Sequence, residues 1–389
     1  MRQPGGRQAG GRPAGGGPAV PFGSNEVRLS PRQCVLAGAI VLLVLALLPV
    51  LWERIEPLDV PADWRMPYDL STDYWLFARR AREAAAADQT LVVGDSVVWG
   101  HYVRSDQTLS HYLNRAAGRE RFANLGVDGI HPAALAGLLE HYGGAISGRR
   151  VVLHANLLWM SSPRHDLTAR KEFAFNHPEL VPQFFPRIPC YRETVSQKLE
   201  IAIHRNVGFF PWATHVRLAY FGGLPVGPWT VEHPYGNPLR AVTLELPSGR
   251  RPASPPEENV PWTQKDIPRF DAPWVELNAS FQWQSLQRAL ETLTDRGNRV
   301  FVLVGPFNEH MLTDDSREVH GVRLAGVAAW LTRRGVPHYV PPALPSDRYA
   351  DASHPLAEGY ARIAEQLFAH EAFARFDGRA AGAPHGETP

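Results

Sequence analysis

Two short clusters carry the residue types and spacing that nucleophilic chemistry needs. The first is Gly94-Asp95-Ser96, which follows the apolar run Leu91-Val92-Val93. A run of this kind reads as a buried strand. A serine on a sharp turn beyond it can project its hydroxyl and aim its backbone N–H into a site. The second cluster is Asp351-Ala352-Ser353-His354. On a tight loop the carboxylate can hold one imidazole nitrogen while the other faces a nucleophile, which sets the tautomer and stabilises the imidazolium. Each cluster also has an ordinary reading, since Asp and Ser commonly cap helices and polar loops are rich in Asp and His.

A serine that attacks a carbonyl also needs donors for the resulting oxyanion. In Asn124-Leu125-Gly126-Val127-Asp128-Gly129, Gly126 directly follows a short predicted strand, where its N–H could donate. An ordinary turn glycine is an equal reading for Gly126 and the better one for Gly129. In His154-Ala155-Asn156-Leu157-Leu158-Trp159, Asn156 ends a very apolar strand and its amide could donate into the site. The alternative is a turn asparagine bonded to its own backbone. His154 reads as packed rather than catalytic. Asn308, Glu309 and Trp159 also lie beyond strand ends and could contact substrate, although Asn308 and Glu309 fit a plain polar loop equally well.

The elements that position these residues alternate. Predicted strands cover Thr90–Val93, Arg121–Leu125, Arg150–Ala155, Arg299–Val304 and Val336–Val340. Predicted helices cover Asp73–Ala87, Gln107–Ala117, Pro132–Ile146, Phe281–Arg296, Arg317–Arg334 and Pro355–Phe373. This pattern predicts an α/β fold, a three-layer sandwich around a central parallel sheet of about five strands. Ligands in such sheets bind beyond the carboxyl ends of the strands, where both clusters fall. The alternation breaks over residues 160–280, which are dense in Pro, Trp and Phe and read as a large irregular insert or cap. Trp212, Trp229, Trp262 and Trp274 there, with Trp283 just beyond, could stack on sugars, or simply pack in the core of the insert.

The 389 residues carry a formal net charge of +1, which gives no electrostatic case for nucleic acid. There are two cysteines, and Cys34 lies in an apolar run, so no disulfide framework is expected. No metal or cofactor is called for, since no histidine spacing is of a metal-binding type. Residues 1–33, rich in Gly, Pro and Arg, read as a disordered cytoplasmic tail. Residues 34–52 are uncharged and apolar, enough for one transmembrane helix, with a cleaved signal peptide as the lesser reading. Arginines before the run put its start in the cytoplasm and the rest of the chain outside, in a single-pass arrangement in the cytoplasmic membrane. The expected division is then a juxtamembrane linker and helix at 53–87, a catalytic domain at 88–159 and 281–373, the insert between, and a disordered tail at 374–389.

The four blocks, Gly94-Asp95-Ser96, Gly126, Asn156 and Asp351-x-x-His354, stand in the order seen in the SGNH (GDSL-type) hydrolase superfamily, which this chain resembles over about residues 88–372. Two positions depart from the usual pattern: the third block is His154-Ala155-Asn156-Leu157 rather than Gly-x-Asn-Asp, and Val97 replaces leucine after Ser96. The resemblance implies the flavodoxin-like SGNH fold. It makes Ser96 the nucleophile, His354 the base and Asp351 its orienter, with the Ser96 N–H, Gly126 N–H and Asn156 side chain as the oxyanion hole. It also implies an acyl-ester substrate. In architecture the chain is similar to envelope proteins that work beside membrane-bound O-acyltransferases. That likeness implies an O-acyl esterase or O-acyltransferase acting on an extracytoplasmic glycan, with such a transferase as partner. A catalytically inactive binding or scaffold subunit with the same fold is the alternative.

Overall fold

A computed structural model describes residues 29–247 and 258–379. Among these, the chain divides after Leu47 into two compact units. The first contains most of α1 (Pro31–Ile55), a helix long and apolar enough to cross a membrane. An apolar surface all round leaves such a helix no side to present to water. It is longer at both ends than the expected span 34–52, so residues 31–33 of the expected tail are helical; residues 1–28 lie outside the described residues.

The second unit is α/β. After α2 (Tyr74–Ala86) come β1 (Thr90–Gly94), the one-turn α3 (Ser96–Trp99), α4 (Leu109–Ala117), β2 (Phe122–Gly126), α5 (Pro132–Tyr142) and β3 (Arg150–Ala155). The insert contributes α6 (Val195–Asn206), α7 (Phe209–Phe221), α8 (Val226–Glu232) and α9 (Pro238–Ala241). Then follow α10 (Phe281–Asp295), β4 (Arg299–Val304), α11 (Asp314–Arg333), β5 (His338–Tyr339), α12 (Ala357–Ala369) and α13 (Glu371–Asp377). The five strands form one parallel sheet in the order β2-β1-β3-β4-β5. Because the chain passes from β1 to one edge and then back to β3, the carboxyl ends of β1 and β3 flank a topological switch point.

Alternate side chains of the central strands enter two hydrophobic clusters. Leu91, Val93, Val151, Leu153, Val300 and Val302 join one, with residues of α2, α5, α10 and α11. Val92, Val152, Phe301 and Leu303 join the other, with residues of α4, α12 and α13. Both faces of the sheet are therefore dry, which is why these strands read as continuous apolar runs.

Three expectations change. Residues 56–70 are not a free linker: Glu56, Leu58, Ala62, Arg65, Met66 and Leu70 are buried. Partners from the domain complete the backbone of this proline-rich stretch. Ala62 donates its N–H to Glu120, and its C=O accepts from the Asn124 N–H and the Arg80 guanidinium. Buried backbone groups demand such partners. Second, the insert is not irregular throughout, because α6 to α9 lie in it. A Thr194/Gln197 capping box starts α6. The part of it expected to be least ordered, Asn237–Pro268, includes residues 248–257, which lie outside the described residues. Third, the chain stays folded past Phe373 through α13, where Phe376 and Asp377 are buried; residues 380–389 lie outside the described residues.

Candidate active site

Asp95 caps α3, its side chain accepting from the Val97 N–H at 3.0 Å. Ser96 thereby opens the helix directly beyond β1. The helix stops after one turn at Gly100, whose φ of 90° belongs to the left-handed region that glycine tolerates. Arg65 pins that stop, lying over the Trp99 ring at 4.2 Å and donating to the carbonyls of Trp99 and Gly100.

On the loop between β5 and α12, both Asp351 carboxylate oxygens lie 2.8 Å from His354 Nδ1. The other ring nitrogen, Nε2, lies 2.8 Å from Ser96 Oγ. With Nδ1–H donated to the carboxylate, Nε2 carries the lone pair and accepts the serine hydroxyl. The loop is tied down locally. Asp351 accepts the N–H groups of Ser353 (2.9 Å) and His354 (3.0 Å). Burial alone would raise the Asp351 carboxyl, but the His354 ring and these two N–H groups outweigh it and hold the acid well below the usual carboxylate range. His354 moves the other way. Burial disfavours its charge, yet Asp351, with Asp95 and Asp128 further off, raises it above the ordinary histidine value.

Asp95 is the centre of a second network. It accepts from the Asn156 amide (2.8 Å) and the Trp159 indole N–H (3.0 Å), and it faces His154 Nδ1 at 3.0 Å. The other nitrogen of His154, Nε2, meets the Gly305 carbonyl at 2.9 Å. Both ring nitrogens of His154 thus face acceptors and hold the ring in place. Burial pushes the Asp95 carboxyl up, but His154, Trp159 and Asn156 bring it down to about 2. His154 therefore supports the turn that carries Ser96. Sequence spacing gives no sign of this, since Asp95 and His154 are 59 residues apart.

The expected oxyanion donors divide. The Ser96 N–H has no hydrogen-bond partner among the described residues. Asn156 uses one amide hydrogen on Asp95 and has a second. The Gly126 N–H donates to its near neighbour Asn124 Oδ1 at 3.0 Å. What demands glycine there is space, because a Cβ at 126 would lie 2.3 Å from the Trp99 backbone nitrogen. Gly126→Ala must push α3 away from β2. Overpacking of this kind costs about 1–3 kcal/mol, so its thermal unfolding midpoint is expected well below that of the wild type. An unchanged midpoint would show that α3 can yield freely.

The three expected substrate contacts are placed differently, Asn308 deepest. It is fully buried and braces the loop of Asp351, its N–H on the Ala352 carbonyl (2.8 Å) and its amide on the Asp351 carbonyl (3.0 Å). Glu309 is half-buried, and its carbonyl accepts from Arg317. Trp159 is half-buried, with its indole on Asp95. The insert reaches the same loop. Trp262 donates its backbone N–H to the Tyr349 carbonyl and its indole N–H to Ser346, and Lys265 donates to the Ala350 carbonyl at 2.9 Å. Trp262, Trp274 and Trp283 are buried, so these three serve packing rather than an open stacking surface.

A residue pair missed in the sequence stands beside the triad. His101 Nδ1 meets Asp128 Oδ1 at 2.6 Å, and the His101 ring centre is 5.5 Å from that of His354. The edge-on Tyr102 ring lies 5.4 Å from His354. His101 follows Ser96 by only five residues, and its own N–H donates to the Ser96 carbonyl. Among the described residues, no three His, Cys, Asp or Glu side chains are grouped so as to hold a metal ion. Compared with known proteins, the sequence matches no family model and no curated protein.

Proposed function

We propose that this chain is a membrane-anchored serine enzyme of the SGNH type that cleaves or transfers acyl esters on the outer side of the cytoplasmic membrane. The observation that carries the reading is the unbroken line from Asp351 through His354 to Ser96 Oγ, each link 2.8 Å, at the switch point of a parallel sheet. The strand order 2-1-3-4-5 is that of flavodoxin-like folds, which supports a three-layer SGNH arrangement.

In this mechanism the Ser96 oxygen bonds to the acyl carbon as its proton passes to His354 Nε2. The Ser96 N–H and the second amide hydrogen of Asn156 stabilise the oxyanion. His354 then returns the proton to the leaving alcohol as the ester bond breaks, leaving an acyl-serine. Water, or the hydroxyl of a glycan, gives its proton to His354 and takes the acyl group; as the acyl–serine bond breaks, His354 passes that proton to Ser96 Oγ, which restores the serine. The two outcomes differ only in the acceptor. A membrane-bound O-acyltransferase supplying the acyl group is compatible with transfer.

A fluorophosphonate probe tests the reading. The full chain is expected to label covalently, and Ser96→Ala to lose the label completely. Absence of Ser96-dependent labelling in a folded protein would leave the inactive scaffold as the reading to adopt.

A further inference from the structure

We infer that the exposed apolar side chains of α6, α8 and the residues up to Leu239 rest on the lipid bilayer. The inference rests on reading residues 34–52 as a membrane span, and it is independent of what Ser96 does.

Val195, Leu199 and Ile203 recur every fourth residue on α6, so they line one side of the helix. All three are exposed, as is Val207 just beyond. Val226, Val231, Tyr235 and Leu239 continue the series, with Val231 80% and Leu239 85% exposed. Outside residues 29–55, eight large apolar side chains are exposed within 195–239, against six in the rest of the described chain. Exposed apolar side chains are thus concentrated in this stretch of the chain, and apolar surface left open to solvent marks an interaction site where it is contiguous.

The position of α7 identifies the occupant. Trp52 ends the apolar run 34–52, and aromatic residues at such ends sit at the boundary between lipid and water. Trp52 meets Trp212 of α7 edge-on at 5.6 Å and Tyr220 of the same helix at 6.2 Å. One residue turn later, Glu56 is buried against His215 and Tyr220, also of α7. The insert is thus held at the level of the headgroups, where an apolar stripe with charged flanks is the pattern of a helix lying in the interface. Residues 195–240 carry four Lys and Arg against two Glu, a balance suited to anionic lipids.

The test uses the full chain in lipid nanodiscs. Cys34 is replaced by Ser, and Cys190 is buried. Single substitutions Leu199→Cys, Val231→Cys and Leu239→Cys, with Val322→Cys on α11 as reference, receive an environment-sensitive fluorophore. All four native side chains are exposed, so folding does not depend on them. Doxyl-labelled lipid is expected to quench the three insert positions at least two-fold more than position 322, with a blue-shifted emission. Equal quenching of all four by iodide in the buffer, with none by doxyl lipid, would overturn the inference. Protection from iodide without doxyl quenching would also overturn it, in favour of a second copy or another protein. A chain that fails to float with lipid vesicles would instead defeat the underlying membrane reading.

Discussion

Asp351→Asn is expected to lower the kcat for a small acyl ester about 10,000-fold while the protein stays folded. The carboxylate does two things here. Its oxygens accept the hydrogen bond from His354 Nδ1–H, and they accept two backbone N–H groups of their own loop. An amide of the same shape offers a donor as well as an acceptor. If the amide NH2 faces Nδ1, the ring must carry its proton on Nε2, and that nitrogen then cannot accept from Ser96. If the amide oxygen faces Nδ1, the developing imidazolium loses the charge that stabilises it. A second readout separates this role from loop damage. Asp351 raises His354, and the base works only when unprotonated, so the acid limb of the wild-type pH–rate profile lies above the ordinary histidine value. In the variant the limb must move to lower pH. A loss under ten-fold, or a limb that stays in place, would remove Asp351 from the catalytic unit.

How much of this was readable in the chain depended on whether the signal was local. Strands β1, β3 and β4 were found within a residue, because a strand dry on both faces is a continuous apolar run. β5 contracted to His338–Tyr339 between Pro337 and Pro341, which supply no N–H to a ladder. Asp351 and His354 were legible because they are three residues apart. At Gly126 the fold adds a reason for glycine that no local pattern carries, the room it leaves for the Trp99 backbone. The pairing of Asp95 with His154, and of Asn308 with the loop at 351, joins distant segments and leaves no periodic trace. The helices of the insert were missed because Pro, Trp and Phe obscure their pattern, and because the stripe on α6 faces away from the core.

The largest loss of stability is expected from Glu56→Ala, at about 3–5 kcal/mol. Against a typical domain stability of about 5–15 kcal/mol, this should unfold much of the protein at physiological temperature. Glu56 stands at the exit of α1 and is fully buried. One oxygen accepts from His215 Nε2 at 2.9 Å, the Trp52 indole at 3.1 Å and the Tyr220 hydroxyl; the other accepts from Arg79 at 2.7 Å. His215 Nδ1 in turn meets Asp73 at 2.6 Å. Two buried cations, Arg79 and His215, therefore balance two buried anions, Glu56 and Asp73, and deleting Glu56 leaves a positive charge without its partner. The balance also sets a pH signature. Burial opposes the charge on His215, but hydrogen bonds to Asp73 and Glu56 carry it up to about 9. A histidine raised on folding stabilises fully below its unfolded value near 6.5, and that contribution fades as pH rises through about 9. The shift corresponds to about 3 kcal/mol. His354 is also raised and adds in the same direction, so the comparison must be between proteins. Urea unfolding of the wild type should weaken between pH 6.5 and 9, and Glu56→Gln, which keeps the shape but not the charge, should be less stable at pH 6.5 and lose less over that interval. Equal stability of the two proteins at pH 6.5, with parallel pH curves, would mean that the cluster around Glu56 stabilises by packing alone.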